Sequence, residues 1–154
     1  MRAVVQRVRR AAVTADGIPA GMCDGGLLIL LGVARGDTAE DALALAEKIS
    51  KMRFFCDENG KMNLSVRDIG GGALVVSNFT LCAAYAKGNL PDFFAAEDPA
   101  AAKKLYDQFS RLLAERIGHV GCGVFGADMQ ISTELDGPVT IVMDSEVLRK
   151  GGRA

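Results

Sequence analysis

The spacing of apolar positions changes several times along the chain, and each change predicts an element. Arg2–Ala15 is rich in valine and other β-compatible residues, so it reads as a strand. Asp16-Gly17 follows, a hairpin signal because both central turn positions need positive φ. Ile18–Cys23 is the expected return strand, and Pro19 places it at a sheet edge. Leu27-Leu28-Ile29-Leu30-Leu31-Gly32-Val33 is apolar throughout and bounded by glycines, the pattern of a strand buried on both faces. Asp37-Thr38-Ala39-Glu40 then opens a helix, with Asp37 as cap and Glu40 completing a box. Ala42, Leu45, Ile49 and Met52 fall on one face of it, and it ends near Arg53. Phe54-Phe55-Cys56 is a short strand, and Asn59-Gly60 is the tip of the turn after it.

Gly70-Gly71-Gly72 leads into Ala73-Leu74-Val75-Val76-Ser77, a second strand buried on both faces. A long loop, Asn78 to Glu97, follows, and loops of that length in compact domains are often functional. Pro99 takes the tolerated first position of a second helix. Its expected buried stripe is Ala102, Leu105, Phe109, Leu112 and the stem of Arg116, and Gly118 stops it. Two more strands are predicted, Val124 to Glu134 and Val139 to Met143, split by Asp136-Gly137-Pro138. The polar tail from Ser145 to Ala154 is expected to be loose. The element order is β-β-β-α-β-β-α-β-β, an α/β fold with two helices on one face of a sheet. The other face then needs a partner layer, which predicts a homodimer.

With 154 residues the chain is one domain long, and its 49% apolar and 24% charged residues are ordinary for a soluble protein. It carries 18 Lys and Arg against 19 Asp and Glu, net charge -1, which excludes a general polyanion-coating protein but leaves room for a local basic patch. No apolar run reaches the 18 residues of a membrane span, and the charged start is unlike a signal peptide, so no membrane and a cytoplasmic location are expected. Cys23, Cys56, Cys82 and Cys122 form no CxxC pair and read as free thiols. With one histidine, His119, the chain offers no ordinary zinc set, and neither metal nor organic cofactor is expected.

Gly121-Cys122-Gly123-Val124-Phe125-Gly126 is a literal GxGxxG, but a helix precedes it and a strand follows. A dinucleotide fingerprint needs the reverse, so this reads as a glycine corner. Gly70-Gly71-Gly72 lacks the GK[ST] ending of a phosphate loop. His119 ends a helix, where a histidine suits the local dipole. Two features are sharper. Ser77-Asn78-Phe79-Thr80-Leu81 runs from a buried strand into the long loop, where hydroxyls and freed N–H groups commonly form ligand sites; capped strand-end turns would give the same pattern. Asp136-Gly137-Pro138-Val139-Thr140 is a turn by default. A cis bond there would aim two successive carbonyls one way, a gauge made of backbone.

At these two features the sequence resembles the D-aminoacyl-tRNA deacylases, formerly called D-tyrosyl-tRNA deacylases. The resemblance rests on Ala3-Val4-Val5-Gln6-Arg7-Val8, Gly26-Leu27-Leu28 with Leu31-Gly32-Val33, and Gly60-Lys61-Met62-Asn63-Leu64. It continues in Leu74-Val75-Val76-Ser77 and in Gly126-Ala127-Asp128-Met129-Gln130, which precedes Gly137-Pro138-Val139-Thr140. It covers one domain, residues 1–144, with 145–154 as an added tail. It implies a three-layer α/β/β sandwich, dimeric, with active sites at the subunit interface, that hydrolyses the ester joining a D-amino acid to the tRNA 3′-terminal ribose. Ser77, Phe79 and Thr80 are then catalytic, and Asn78, Met129, Gly137 and Pro138 bind the terminal adenosine and the D-amino acid. A cis Gly137-Pro138 would enter the partner's site and exclude L-amino acids.

The N–H groups of Phe79 and Thr80 are the expected oxyanion donors. The nucleophile is water positioned by the ribose 2′-hydroxyl, with Thr80 as the alternative. Arg7, Arg9, Arg10, Lys51, Arg53 and Lys61 are the candidate phosphate contacts. Asn78 stands where the family usually has glutamine, Leu135 where it has asparagine, Leu90 where it has arginine and Asp92 where it has serine. These departures leave two alternatives: a deacylase for achiral or other mischarged aminoacyl-tRNAs, and a non-catalytic dimer that binds aminoacyl-tRNA or a nucleotide.

Overall fold

The computed structural model describes residues 1–151. Its elements are β1 (Arg2–Ala15), β2 (Ile18–Gly32), α1 (Ala39–Lys51), β3 (Arg53–Cys56), β4 (Met62–Ser65), β5 (Gly72–Ser77), α2 (Pro99–Ile117), β6 (Val120–Cys122), β7 (Met129–Asp144) and α3 (Ser145–Arg149). A five-stranded sheet runs β6-β5-β2-β1-β7, and β3 and β4 form a separate hairpin. β2 and β5 are parallel, as are β5 and β6, while β1 is antiparallel to both its neighbours.

The Asp16-Gly17 hairpin is present, with φ of 50° and 81°. Four strand expectations need correction. Ile18–Cys23 and Leu27–Val33 are one strand, β2, because Gly25 at φ 47° bends the chain without ending the ladder. A Cβ on Gly26 would lie 1.9 Å from the Gly72 carbonyl oxygen, so glycine is needed where β5 comes close. β7 likewise runs through Gly137-Pro138, a cis peptide, and its register against β1 shifts between Gln6 and Val8. The expected turn is therefore a bulge inside one long strand. Pro19 is not at an edge: β2 is central, and Pro19 pairs with Thr14 where the register shifts beside the hairpin. β7 begins at Met129, not Val124.

Alternation along the strands divides two cores. Leu27, Ile29, Leu31, Ala73 and Val75 pack with Leu45 and Ile49 of α1 and with Phe109 and Leu113 of α2. Leu28, Leu74 and Val76 point the other way and pack with Val8, Ala11, Val13 and Cys23. The first half of β2 curls back over β6. A Cβ on Gly21 would lie 2.5 Å from the Cys122 carbonyl oxygen, and one on Gly121 would lie 2.5 Å from that of Met22. The chain thus covers the second face with its own curled strands and makes the α/β/β layers within one copy, so that face does not call for a partner layer.

Thr38, not Asp37, caps α1, and its N–H donates to the Asp41 carboxylate at 2.9 Å. Asp37 instead accepts from the Ala34 N–H and the Met1 ammonium, each at 2.6 Å. On α2 the buried stripe is rotated from the expected one: Tyr106 and Leu113 are buried, whereas Leu105 and Leu112 are only partly so. The Tyr106 hydroxyl donates to the Val75 carbonyl at 2.8 Å, which turns that face inward. The start of the tail is not loose. Ser145–Arg149 form α3, with Ser145 buried and Arg149 3.2 Å from the buried Asp41 carboxylate. Residues 152–154 of the expected tail lie outside the described residues. No helix among them is long and apolar enough to cross a membrane.

Candidate active site

The C-terminal end of β5 delivers Ser77, and the next N–H, of Asn78, donates to the Leu31 carbonyl at 2.8 Å. The chain then winds into a 3-10 turn, Phe79–Cys82. A Cβ on Gly32 would stand 2.9 Å from the Asn78 oxygen and 3.0 Å from the Leu81 Cβ, so the turn rests directly on a glycine of β2. Arg2 holds its far end, with Nη1 donating to the Leu81 carbonyl at 3.0 Å and Nε 3.4 Å from Asp144. Within the turn Leu81 donates to the Asn78 carbonyl and Ala83 to that of Thr80. The i→i+3 pattern leaves the Phe79 and Thr80 N–H groups without an acceptor inside the turn. The Thr80 hydroxyl donates to the Asn78 side-chain oxygen.

A cavity of about 520 Å³ opens beside this turn, walled in part by Ser77, Asn78, Phe79, Phe93, Tyr106 and Met129. Phe79 meets Phe93 edge-to-face, centroids 5.0 Å apart at 74°. Burial pushes the Tyr106 hydroxyl well above the ordinary phenol range, so it stays protonated as the donor to Val75. Among the described residues Glu97 is the one carboxylate on the wall. Among the described residues no three His, Cys, Asp or Glu side chains are grouped to hold a metal ion.

Of the residues the sequence singles out, Ser77, Asn78, Phe79 and Met129 come together here. Thr80 stands beside them, bonded to Asn78 but not on the wall. Gly137 and Pro138 do not join them within one copy. They lie on β7 near Arg7 of β1, three strands from β5 and about four residues along, about 20 Å by ordinary sheet spacings.

Arg7 is not an open phosphate contact. Its side chain is 12% exposed, donates to the Asp136 and Phe54 carbonyls, and pairs with the Asp136 carboxylate at 3.1 Å. Arg9, Arg10 and Lys51 remain exposed, each beside an acidic side chain. His119 is exposed, and its Nε2 lies 3.1 Å from the Met22 carbonyl oxygen, so it serves the β2–β6 contact. Burial raises the pKa of the Cys23 and Cys82 thiols, which keeps them protonated and poor nucleophiles. Sequence reasoning missed Phe93, Tyr106 and Phe125 on the wall. It also set aside the glycine corner, whose Gly126 lines the cavity. The available signal was an aromatic residue, Phe125, in a glycine-flanked corner.

Known proteins share this chain's sequence and fold. The model of the family described as D-Tyr-tRNA(Tyr) deacylase matches residues 4–144. A D-aminoacyl-tRNA deacylase of Chloroflexus aurantiacus is 54% identical over 154 residues, covering 100% of this chain and 96% of the relative. One from Thermus aquaticus is 50% identical over 94% of this chain and 95% of its own. Among solved structures, a c-Myc DNA Unwinding Element Binding Protein superposes with a TM-score of 0.87 at 40% identity, covering 94% of this chain and 98% of that one. A probable eukaryotic D-amino acid tRNA deacylase, 15% identical with a TM-score of 0.80, shares the fold. With a family model matching residues 4–144 and relatives at half identity over 95–96% of their own length, the chain belongs to the D-aminoacyl-tRNA deacylase family.

Proposed function

We propose that this chain hydrolyses the ester bond of D-aminoacyl-tRNA, releasing the free D-amino acid and tRNA, and that it does so in the cytoplasm as a homodimer. The observation that carries the reading is the 3-10 turn at the cavity rim, whose Phe79 and Thr80 N–H groups have no acceptor within the turn. The tRNA's terminal adenosine occupies the apolar cavity, with Ser77, Asn78 and Met129 at its edge. The ester carbonyl oxygen then lies against the two N–H groups, which stabilise it as it gains charge. Water, oriented by the ribose 2′-hydroxyl, adds to the carbonyl carbon. The bond to the ribose oxygen breaks, and that oxygen takes up a proton. Thr80, held by Asn78 and without a base, orients the turn and is not the nucleophile.

Selectivity in this reading comes from a second copy, whose Gly137-Pro138 carbonyls occupy the space an L-side chain would need. Three features support it. The bulge is exposed, it lies too far from Ser77 of its own copy to act there, and exposed apolar residues (Ile131, Leu135 and Val142) line the same edge strand.

Matched D- and L-tyrosyl-tRNA test the proposal. Rapid hydrolysis of the D-ester with the L-ester spared is the expected result. Hydrolysis of both would favour a deacylase of other selectivity, and tight binding without hydrolysis a non-catalytic module.

A further inference from the structure

Tyr85, Leu90 and Phe94 are 80%, 86% and 82% exposed, the most exposed large apolar side chains among the described residues. All three belong to one loop. Ala84 and Asp92 pair across its neck, each N–H donating to the other's carbonyl at 2.9 Å, so Tyr85 and Leu90 sit on a short tip with Lys87 between them. Immediately after the neck, Phe93 turns into the cavity wall and packs on Phe79, while the next residue, Phe94, stands in solvent. The root of the loop is therefore part of the cavity, and its outer surface is aromatic and uncovered. Large apolar side chains exposed on one loop beside a cavity offer a contact surface.

We propose that Tyr85 and Phe94, with Leu90 beside them, form a stacking platform for the unpaired nucleotides that precede the terminal adenosine of the tRNA. The proposal rests on the deacylase reading of the adjoining cavity. If the cavity holds the last nucleoside, the strand leading to it must leave past the cavity's rim, and Phe93, Ala96 and Glu97 make this loop part of that rim. Those nucleotides are single-stranded, and their bases offer flat faces that stack on aromatic side chains whatever their identity. The Lys87 ammonium at the tip suits the phosphates between them. A second copy of this chain has a different exposed apolar surface to use, on the edge strand β7.

The test compares a minimal substrate, D-tyrosyl-adenosine ester, with full-length D-tyrosyl-tRNA, using the intact protein and a Tyr85→Ser/Phe94→Ser variant. Two stacks at about 1–3 kcal/mol per base predict that kcat/KM on the tRNA falls at least 10-fold. The minimal ester should be hydrolysed within twofold of the parent rate. Equal losses on both substrates, or no loss on tRNA, would overturn the platform. So would a change of oligomeric state in the variant by sedimentation, because a second copy would then be the occupant. Binding of the uncharged trinucleotide CCA gives a readout independent of hydrolysis, with a Kd about 10-fold weaker in the variant. A parent protein that binds CCA through these residues but cleaves neither ester would remove the deacylase reading and keep the platform.

Discussion

At the scale of single residues, the site is a set of short-range constraints on one turn. Thr80 and Asn78 act as a pair, because the hydroxyl of one is satisfied by the side chain of the other. Thr80→Ala and Asn78→Ala should each lower kcat about 10-fold, the worth of one hydrogen bond of about 1.4 kcal/mol, and the double variant should be no worse than either. A Thr80→Ala loss beyond about 10³-fold, with a trapped acyl-enzyme in the parent, would instead make Thr80 the nucleophile. A second residue-scale prediction concerns Asp41. Burial opposes its ionisation, yet the neighbouring Ser145 hydroxyl, the Thr38 N–H and the Met1 ammonium outweigh it, so the carboxyl titrates below its ordinary value near 3.8. A depressed folded pKa adds stability that is present above that value and lost as pH falls through the lower one. Acid unfolding followed by circular dichroism should show a limb below about pH 4 that flattens in Asp41→Asn. Ser77 to Thr80 were legible as a candidate site because a buried strand ending in polar residues is a local pattern. The role of Arg7 was not legible, because its partners at Phe54 and Asp136 are set by tertiary pairing.

At the scale of elements, the architecture depends on where backbones touch. Arg2 joins the end of the site turn to β7, so Arg2→Met should loosen the turn and reduce kcat more than KM, while Arg2→Lys keeps a donor in reach and restores most of it. Equal kcat in Arg2→Met and the parent would show that the turn is held without it. Gly121 lies under Met22 where the strand layers meet, so Gly121→Ala should cost about 1–3 kcal/mol by overpacking and lower Tm by roughly 2–12 °C in a calorimetric melt. Helix positions and the glycine-bounded strands were readable from period and caps. The long strands were divided wrongly because glycine and proline are usually breakers, and here Gly25 and Pro138 bend strands that continue. β4 and β6 were missed because Met62–Ser65 and Val120–Cys122 hold no run of β-branched or aromatic residues, whereas the equally short β3 announces itself through Phe54-Phe55.

At the scale of the whole molecule, the resemblance gave the right layer count, while the argument from a bare face failed. Periodicity says which side of a strand is apolar, but it does not say that β1 and β2 curl far enough to cover that side themselves. The shared site is tested by mixing two variants and reading hydrolysis of the L-ester. Phe79→Ala disables the pocket and Gly137→Val the bulge that sets selectivity, where φ of 143° and a Cβ 2.4 Å from the Val139 nitrogen leave no room for a side chain. In mixed dimers the intact pocket faces an intact bulge, so L-hydrolysis per Gly137→Val subunit should fall roughly by half in an equal mixture; unchanged L-hydrolysis would place both features in one copy. The same bulge also bears on what the chain does when crowded. β7 is a sixteen-residue strand at the open margin of the sheet, the kind of border along which identical chains polymerise. Pro138 has no N–H to give, and the register slips beside it, so no incoming strand can lay down an unbroken ladder. Contacts at this border are cut short, which favours finite assemblies over fibres.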